Sequence, residues 1–115
     1  MNISAELYGP CVLIHCKGDL AEDTLPEFRT VVSHQLQNDE VHDVVLDMAE
    51  TPFLDSKAME YLLDLQELLL ARHGQVMLVG ADENVEKILE ITRLDASFER
   101  CGSIEQAVKS QRGIG

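Results

Sequence analysis

One segment, residues 44–56, constrains the fold of this 115-residue chain more than any other. It begins with the nearly continuous apolar run 44–48, which is too short and too rich in β-branched residues for a helix. This run predicts a strand buried on both faces at the centre of a sheet. After a turn, Ser56 opens a stretch of good helix formers without glycine or proline, 56–73, which predicts the longest helix. A hydroxyl group at Ser56 would lie beside unpaired backbone N–H groups at the positive end of the helix dipole, so Ser56 is a candidate carrier of a phosphate group.

The predicted helix 56–73 ends before Gly74, which is expected to be the C′ residue with a positive φ angle. One apolar stripe of this helix should face the core, and it consists of Met59, Leu62, Leu63 and Leu70. A wider apolar arc is formed by Leu65, Leu68 and Leu69. Two interpretations of this arc are open: a deep core takes up the extra leucines, or an apolar edge is left for a partner or a second copy of the chain.

The chain before residue 44 predicts strands followed by a helix. Residues 7–16 are rich in Val, Leu, Ile and Cys and are interrupted by Gly9-Pro10, a pattern typical of two short strands or of one bent strand. A helix is predicted over 25–37, because apolar residues recur there at spacings of three and four. Thr24 and Glu27 have the spacing of a capping box, in which each side chain binds the backbone N–H of the other residue.

The chain after residue 74 predicts two more strands and two more helices. Residues 76–79 form an apolar run typical of a buried strand, and Phe98 is expected to end a short edge strand. Asn84 is the expected N-cap of one helix, and Ser103 with Gln106 has the spacing of a capping box for the last helix.

This alternation of strands and helices predicts an α/β fold, with a mixed sheet of about four to five strands packed with about four helices. The chain is long enough for one hydrophobic core and too short for two. We expect a single domain over residues 1–115, with its core over about 5–109 and a flexible tail over 110–115.

Charge and residue types argue against several classes of function. The formal net charge of −12 disfavours binding to nucleic acid or direct binding to an anionic membrane. The sequence has no secretory signal and no apolar run of the roughly 20 residues that span a bilayer, so a cytoplasmic location is expected. The three cysteines and four histidines have no metal-ligand spacing, and neither a metal nor another cofactor is expected.

An enzymatic function is not expected either. A serine nucleophile of the hydrolase type needs a Gly-x-Ser-x-Gly turn, and the residues around Ser56 include no glycine on either side. The sequence also has no glycine-rich phosphate loop. Any chemistry at Ser56 is therefore expected to be performed by another protein.

The order of strand, turn, Asp-Ser and long helix resembles that of the STAS domains, and among them the bacterial anti-sigma factor antagonists. The resemblance covers residues 5–109 approximately. It is carried by Gly-Asp-Leu at 18–20, by 44–56 with Phe-Leu-Asp-Ser at its end, and by 85–94. The middle segment is the most specific of the three.

The resemblance implies a phosphorylation switch and the partners that operate it. In the antagonists that switch, the serine directly after this aspartate is phosphorylated by the anti-sigma factor, which is itself a serine kinase, and a phosphatase resets it. Binding to the anti-sigma factor frees a sigma factor, and a monomer or weak homodimer is expected. By position the phosphorylated serine is Ser56, and the implied partner-binding residues are Asp19, Asp55, Ser56, Lys57 and Glu60.

The sequence departs from the family pattern at three positions. The family usually continues Asp-Ser with a small hydroxyl residue and a glycine, where this chain has Lys57 and Ala58. Lys57 could pair with a phosphate group or could obstruct a kinase, and Ala58 is expected to keep a partner less close. Arg93 stands where glycine is common after the third helix, and a left-handed conformation there would cost roughly 1 kcal/mol.

Four further pairs of alternatives stay open. Asp55 either caps the helix or orients the Ser56 hydroxyl group toward a kinase. Ser56 is either the N-cap of its helix, or it follows Asp55 as the N-cap and has an exposed hydroxyl group. Asp19 is either a turn residue or part of the binding surface. The protein is either a phosphorylated switch or a constitutive STAS interaction module that scaffolds a signalling assembly or a transporter complex.

Overall fold

Strand β3 (Asp43–Glu50) lies at the centre of a five-stranded sheet in the computed structural model, which describes residues 2–111. The other strands are β1 (Asn2–Tyr8), β2 (Cys11–Lys17), β4 (Val76–Val79) and β5 (Glu99–Cys101). Their order across the sheet is β1-β2-β3-β4-β5, with β1 antiparallel to β2 and every other pair parallel. The helices are α1 (Leu25–Leu36), α2 (Ser56–Leu70), α3 (Glu83–Ile91) and α4 (Ile104–Gln111). The predicted α/β fold with a mixed sheet and four helices is therefore confirmed.

The apolar run in β3 is buried on both faces of the sheet, as predicted. Val44, Val45 and Leu46 are all fully buried. Val44 and Leu46 belong to the larger core, which the sheet forms with α1, α2 and α3. Val45 belongs to a smaller core on the opposite face, which α4 covers with Ala107. The end of β3 thus leads into α2 on the side of the larger core.

Two predicted strand boundaries are wrong. β1 begins at Asn2 and not near residue 7, because half-buried Ile3 and Ala5 alternate there with exposed residues and form no apolar run. Phe98 precedes β5 and does not end it, and its ring is buried in the larger core.

The predicted capping box at the start of α1 is wrong. Thr24 makes no side-chain cap bond to the helix. Its hydroxyl group instead accepts a hydrogen bond from the N–H of Ala21 at 3.0 Å and donates one to the carbonyl of Asp19 at 2.8 Å. The threonine side chain therefore closes the loop before α1 and does not cap the helix. Hydroxyl side chains often form such local bonds to nearby backbone groups.

The cap of α3 is Asp82, and the prediction of Asn84 is wrong. The Asp82 carboxylate accepts a hydrogen bond from the N–H of Val85 at 2.9 Å, which places Asn84 inside the helix. At the start of α4, the Ser103 hydroxyl accepts a bond from the N–H of Gln106 at 3.1 Å, which is one of the two bonds of the predicted capping box.

Helix α2 ends at Leu70, before the predicted residue 73, and its left-handed residue is His73 with a φ of 65°. The Gly74 N–H donates to the carbonyl of Leu69 at 2.8 Å, which is the bond of a Schellman helix end. Gly74 has no positive φ, so the expectation for its backbone is wrong. Glycine is needed there for space, because a Cβ atom would lie 1.7 Å from the carbonyl oxygen of His42.

The larger core takes up only part of the leucine arc of α2. Leu65 and Leu69 are buried, whereas Leu68 and Leu70 are 46% and 58% exposed. Leu70 was predicted to face the core and does not. The stripe that does so recurs at spacings of four, three and four and consists of Ala58, Leu62, Leu65 and Leu69.

Helix α4 extends through Gln111, and the rest of the predicted tail, 112–115, lies outside the described residues. Within the described part of the chain, no helix is long and apolar enough to cross a membrane.

Candidate functional site

Asp55 is the N-cap of α2, and this leaves Ser56 as the first helical residue. The Asp55 backbone is extended, and its Oδ1 accepts a hydrogen bond from the N–H of Ala58 at 2.8 Å. The second of the two interpretations of Ser56 is therefore correct: Ser56 follows the N-cap and does not form it. Its side chain is exposed at the positive end of the helix dipole.

The loop before α1 lies directly against the start of α2. The Leu20 N–H donates to the carbonyl of Phe53 at 3.0 Å, and the Asp55 N–H donates to the carbonyl of Leu20 at 3.2 Å. Asp55 Oδ2 also accepts a bond from the N–H of Glu22 at 2.8 Å. No sequence pattern predicts this role of Glu22, because a backbone N–H makes the bond.

The five predicted partner-binding residues fall on two neighbouring parts of one surface. Asp19 lies in the loop before α1, and the other four lie in the first turns of α2. Asp55 is half-buried, and the side chains of the other four are exposed. We call this set the α2-start surface, and it consists of Asp19, Asp55, Ser56, Lys57 and Glu60.

Lys57 lines a groove between α2 and α1. The groove has a volume of about 310 Å³ and is lined by Glu22, Leu25, Pro26, Arg29 and Lys57. We call it the α1 groove. The Arg29 guanidinium lies 5.1 Å from the centre of the Tyr61 ring, a cation–π contact, and burial raises the pKa of the Tyr61 hydroxyl. Among residues 2–111, neither Lys57 nor Arg29 has a carboxylate oxygen within 4 Å.

The methyl group of Ala58 faces the protein interior and not a partner. Ala58 is 0% exposed and belongs to the larger core. The expectation that Ala58 keeps a partner less close concerns the backbone freedom that a glycine would add, and it stays a prediction. The buried methyl group itself does not reach the surface. The nearest exposed departure from the family pattern is Lys57.

A second polar cluster lies across β1, β2 and β3, away from the start of α2. His15 Nδ1 lies 2.8 Å from Asp47 Oδ2, and His15 Nε2 lies 3.3 Å from Glu6 Oε1. The Tyr8 hydroxyl donates to Glu6 at 2.5 Å, and this bond is the main cause of a lowered pKa of the Glu6 carboxyl. The cluster joins three neighbouring strands through their side chains.

Two of the cysteines are buried and poorly reactive. Burial raises the pKa of the Cys11 thiol to about 11 and that of Cys16 to about 12. Because the thiolate is the reactive form, neither sulfur is poised for chemistry at neutral pH. Both side chains pack in the cores as small apolar groups.

The fold is similar to that of several solved structures. SpoIIAA, an anti-sigma factor antagonist in its unphosphorylated form, has 21% sequence identity and a TM-score of 0.84 over 99% of each chain. The Bacillus cell fate determinant SpoIIAA in its phosphorylated form has 18% identity and a TM-score of 0.73, covering 95% of this chain and 98% of that one. Murine Slc26a9, an anion transporter, has 18% identity and a TM-score of 0.76, covering 93% of this chain and 18% of the transporter.

The similarity to these solved structures establishes the fold, and the match to a protein-family model establishes the family. A comparison with curated protein sequences finds no significant match. The model of the STAS domain matches residues 2–110, which is nearly the whole chain. The chain belongs to the STAS domain family.

Proposed function

We propose that this domain is an anti-sigma factor antagonist that binds a serine-kinase anti-sigma factor through the α2-start surface. Phosphorylation of Ser56 ends the binding, and a serine phosphatase restores it. The observation that carries this proposal is that Asp55, and not the adjacent Ser56, is the N-cap of α2. Asp55 caps α2 at 2.8 Å, and Ser56 is left exposed with no capping role.

The charge of the surface explains how a phosphate group would release the partner. A phosphoserine adds roughly 1.5 to 2 negative charges and strong acceptor oxygens at pH 7. Asp55 and Glu60 already lie beside Ser56, and Asp19 belongs to the neighbouring loop. Desolvation of the added charge in an interface, together with repulsion from these carboxylates, should weaken the complex by several kcal/mol.

The proposed role is that of a binding module and not of an enzyme. The kinase and phosphatase activities belong to the partners, and the domain acts in the cytoplasm without binding nucleic acid or a membrane directly. Support comes from the fold of SpoIIAA, which has been solved in phosphorylated and unphosphorylated forms and is named as an anti-sigma factor antagonist.

A second candidate is a constitutive STAS interaction module that is never phosphorylated. The observation in its favour is Lys57, an exposed cation directly after Ser56 where the family usually has a small hydroxyl residue. The similarity to a segment of the Slc26a9 transporter supports the same candidate. In this role the α2-start surface would bind its partner permanently, because no phosphate group is added to release it.

Phosphate transfer by purified kinases distinguishes the two candidates. The full chain is incubated with ATP and each serine-kinase anti-sigma factor encoded in the same genome, and phosphopeptides are located by mass spectrometry. The proposal predicts one phosphate at Ser56 and none on Ser56→Ala. Ser33→Ala is the matched control, because Ser33 is exposed on α1 and should not affect the transfer. Absence of phosphate at Ser56 with every kinase would favour the constitutive module.

A further inference from the structure

A second groove lies between the β3–α2 loop and α3. It has a volume of about 300 Å³ and is lined by Pro52, Phe53, Asn84, Lys87, Ile88 and Ile91. We call it the α3 groove. Because Phe53 comes shortly before Asp55 and Ser56 in the chain, the groove borders the α2-start surface.

The backbone holds Phe53 outward at the edge of this groove. Leu54 pairs with Leu20 in a parallel β-bridge, and its side chain is 1% exposed in the larger core. Successive side chains on an extended backbone point to opposite sides, so the bridge that buries Leu54 leaves Phe53 44% exposed. The phenyl ring is therefore accessible without a change of backbone.

Helix α3 exposes apolar surface in addition to the side chains that it buries in the core. Val85 and Leu89 are fully buried and attach the helix to the larger core. Ile91 is 75% exposed, more than any other large apolar side chain in residues 2–111. Ile88 packs partly against the larger core and also lines the groove, and Ile91 lies beside it on the same face with most of its surface outside the core.

The charge of the groove favours an acidic neighbour. Lys87 is the only charged residue that lines it. In the described part of the chain, no carboxylate oxygen lies within 4 Å of its ammonium group. A free cation on the rim of an apolar groove, in a chain with a net charge of −12, attracts an anionic group that brings apolar surface with it.

We propose that the α3 groove binds a large apolar side chain that lies next to an Asp or Glu on the same partner that contacts Ser56. The proposal rests on the function proposed above and deepens it. The apolar side chain enters between Phe53 and Ile91, and the carboxylate pairs with Lys87. Apolar anchors in small pockets carry much of the energy of protein interfaces. The groove then adds affinity to the complex beyond the contacts of the α2-start surface, which are the contacts that a phosphate group on Ser56 disrupts.

Binding of full-length variants to a recombinant serine-kinase anti-sigma factor tests the groove. Phe53→Ser and Ile91→Ser should each raise the Kd about tenfold, and Lys87→Glu should raise it most at low salt. Leu70→Ser is the matched control, because Leu70 is 58% exposed and lies outside the groove. Its Kd should stay within about twofold of the wild-type value.

The outcomes of this binding experiment separate the two proposals. Circular dichroism confirms that each variant is folded. If Phe53→Ser and Ile91→Ser both bind with wild-type affinity while Ser56→Asp loses binding, the proposal for the α3 groove is refuted and the proposed function stands. Weak binding by the groove variants, with no effect of Ser56→Asp, would support the groove and contradict the phosphorylation switch.

An NMR titration tests the groove even if no anti-sigma factor binds the chain. The probe is a set of hexapeptides with Leu, Phe or Met next to Asp or Glu, added to the ¹⁵N-labelled full chain, with a set that has Lys in place of the acid as control. We expect saturable shifts at the amides of residues 53 and 84–91 with the acidic set only. Equal shifts with both sets, or no shifts, would refute the proposal. Shifts that depend on protein concentration without peptide would identify a second copy of the chain as the occupant and refute it too.

Discussion

The carboxylate of Asp55 accepts a hydrogen bond at 2.8 Å from the backbone N–H of Glu22, which lies 33 positions earlier in the chain. The other oxygen of the same carboxylate caps α2 through the N–H of Ala58, also at 2.8 Å. One side chain therefore holds the loop before α1 against the start of α2. It also relieves Ser56 of the capping role, so the serine hydroxyl is exposed on a fixed part of the surface.

Asp55→Ala should lower the free energy of unfolding by about 2 kcal/mol, because it removes a helix cap and leaves the Glu22 N–H without its acceptor. Asp82→Ala is the matched control, since Asp82 caps α3 through one bond to the Val85 N–H. Its cost should be about 1 kcal/mol. Urea unfolding of the two variants measures the difference, and equal costs would argue against the bond across the loop.

Ala58→Gly should lower the free energy of unfolding by about 1 to 2 kcal/mol, because glycine weakens the helix and a fully buried methyl group is lost. Restoring the glycine that is usual in the family should not improve partner binding, since the methyl group faces the core. Chemical unfolding and a binding titration measure the two effects. A gain in affinity with unchanged stability would be inconsistent with the buried position of Ala58.

Arg93→Gly should raise the free energy of unfolding by about 0.5 to 1 kcal/mol. Arg93 has a φ of 62° at the end of α3, a conformation that a side chain disfavours and glycine accepts. The Leu94 N–H donates to the carbonyl of Leu89 at 2.8 Å, so this helix end is also a Schellman motif. Glu90→Gly, at an exposed position inside α3, is the control and should cost about 1 kcal/mol. A loss of stability in Arg93→Gly would contradict the left-handed backbone.

The pH dependence of stability should report the buried carboxyl of Asp43. Its side chain is 8% exposed and accepts a bond from the Gln75 N–H at 3.0 Å. Burial raises the pKa of Asp43 above 3.8, against the lowering effects of the Gln75 bond and of His42. Because the pKa of Asp43 is higher in the folded state than in the unfolded state, the protonated carboxyl stabilises the fold below the unfolded-state pKa. This stabilisation is lost as the pH rises through the folded-state pKa.

Asp43→Asn tests this sign, because the amide has no charge at any pH and its oxygen can still accept the Gln75 bond. From about pH 4 upward, the wild-type chain should lose stability relative to Asp43→Asn. Urea unfolding of both proteins across this range measures the difference, and the effects of groups that do not interact with Asp43 cancel in the comparison. A difference that stays constant with pH, or changes in the opposite direction, would contradict the predicted shift.

The order of elements could be predicted from the sequence because hydrophobic patterning fixed it. The run at 44–46 is apolar on both faces of β3, and this pattern predicts a central strand whatever the neighbouring turns are. The register of the first hairpin follows from Gly9, whose φ of 62° closes the turn between β1 and β2. Patterns of this kind involve many residues, so no single local competition reverses them.

Helix ends were harder to predict because two adjacent residues can compete for one role. Asp82 and Asn84 are both good cap residues, and the structure gives this role to Asp82, whose carboxylate accepts the bond from the Val85 N–H. His73 and Gly74 compete in the same way at the end of α2. There the close approach of the His42 carbonyl, which the sequence does not reveal, requires the glycine one position after the left-handed residue.

The candidate site was predicted in part. Asp19, Ser56 and Glu60 were named from the sequence, and the structure places them on one exposed surface. The contribution of Glu22 could not be predicted, because its backbone and not its side chain makes the contact. The exposure of Phe53 depends on the bridge between Leu20 and Leu54, a long-range pairing.

The affinity of the serine-kinase anti-sigma factor for the unmodified and the Ser56-phosphorylated chain tests the central claim most directly. Both forms come from one preparation, separated by ion exchange and titrated by calorimetry without ATP. We predict that the phosphate group raises the Kd by more than about a hundredfold, a change of about 2.8 kcal/mol or more. An equal Kd for the two forms would contradict the account, because Ser56 would then carry a phosphate group that the partner does not sense.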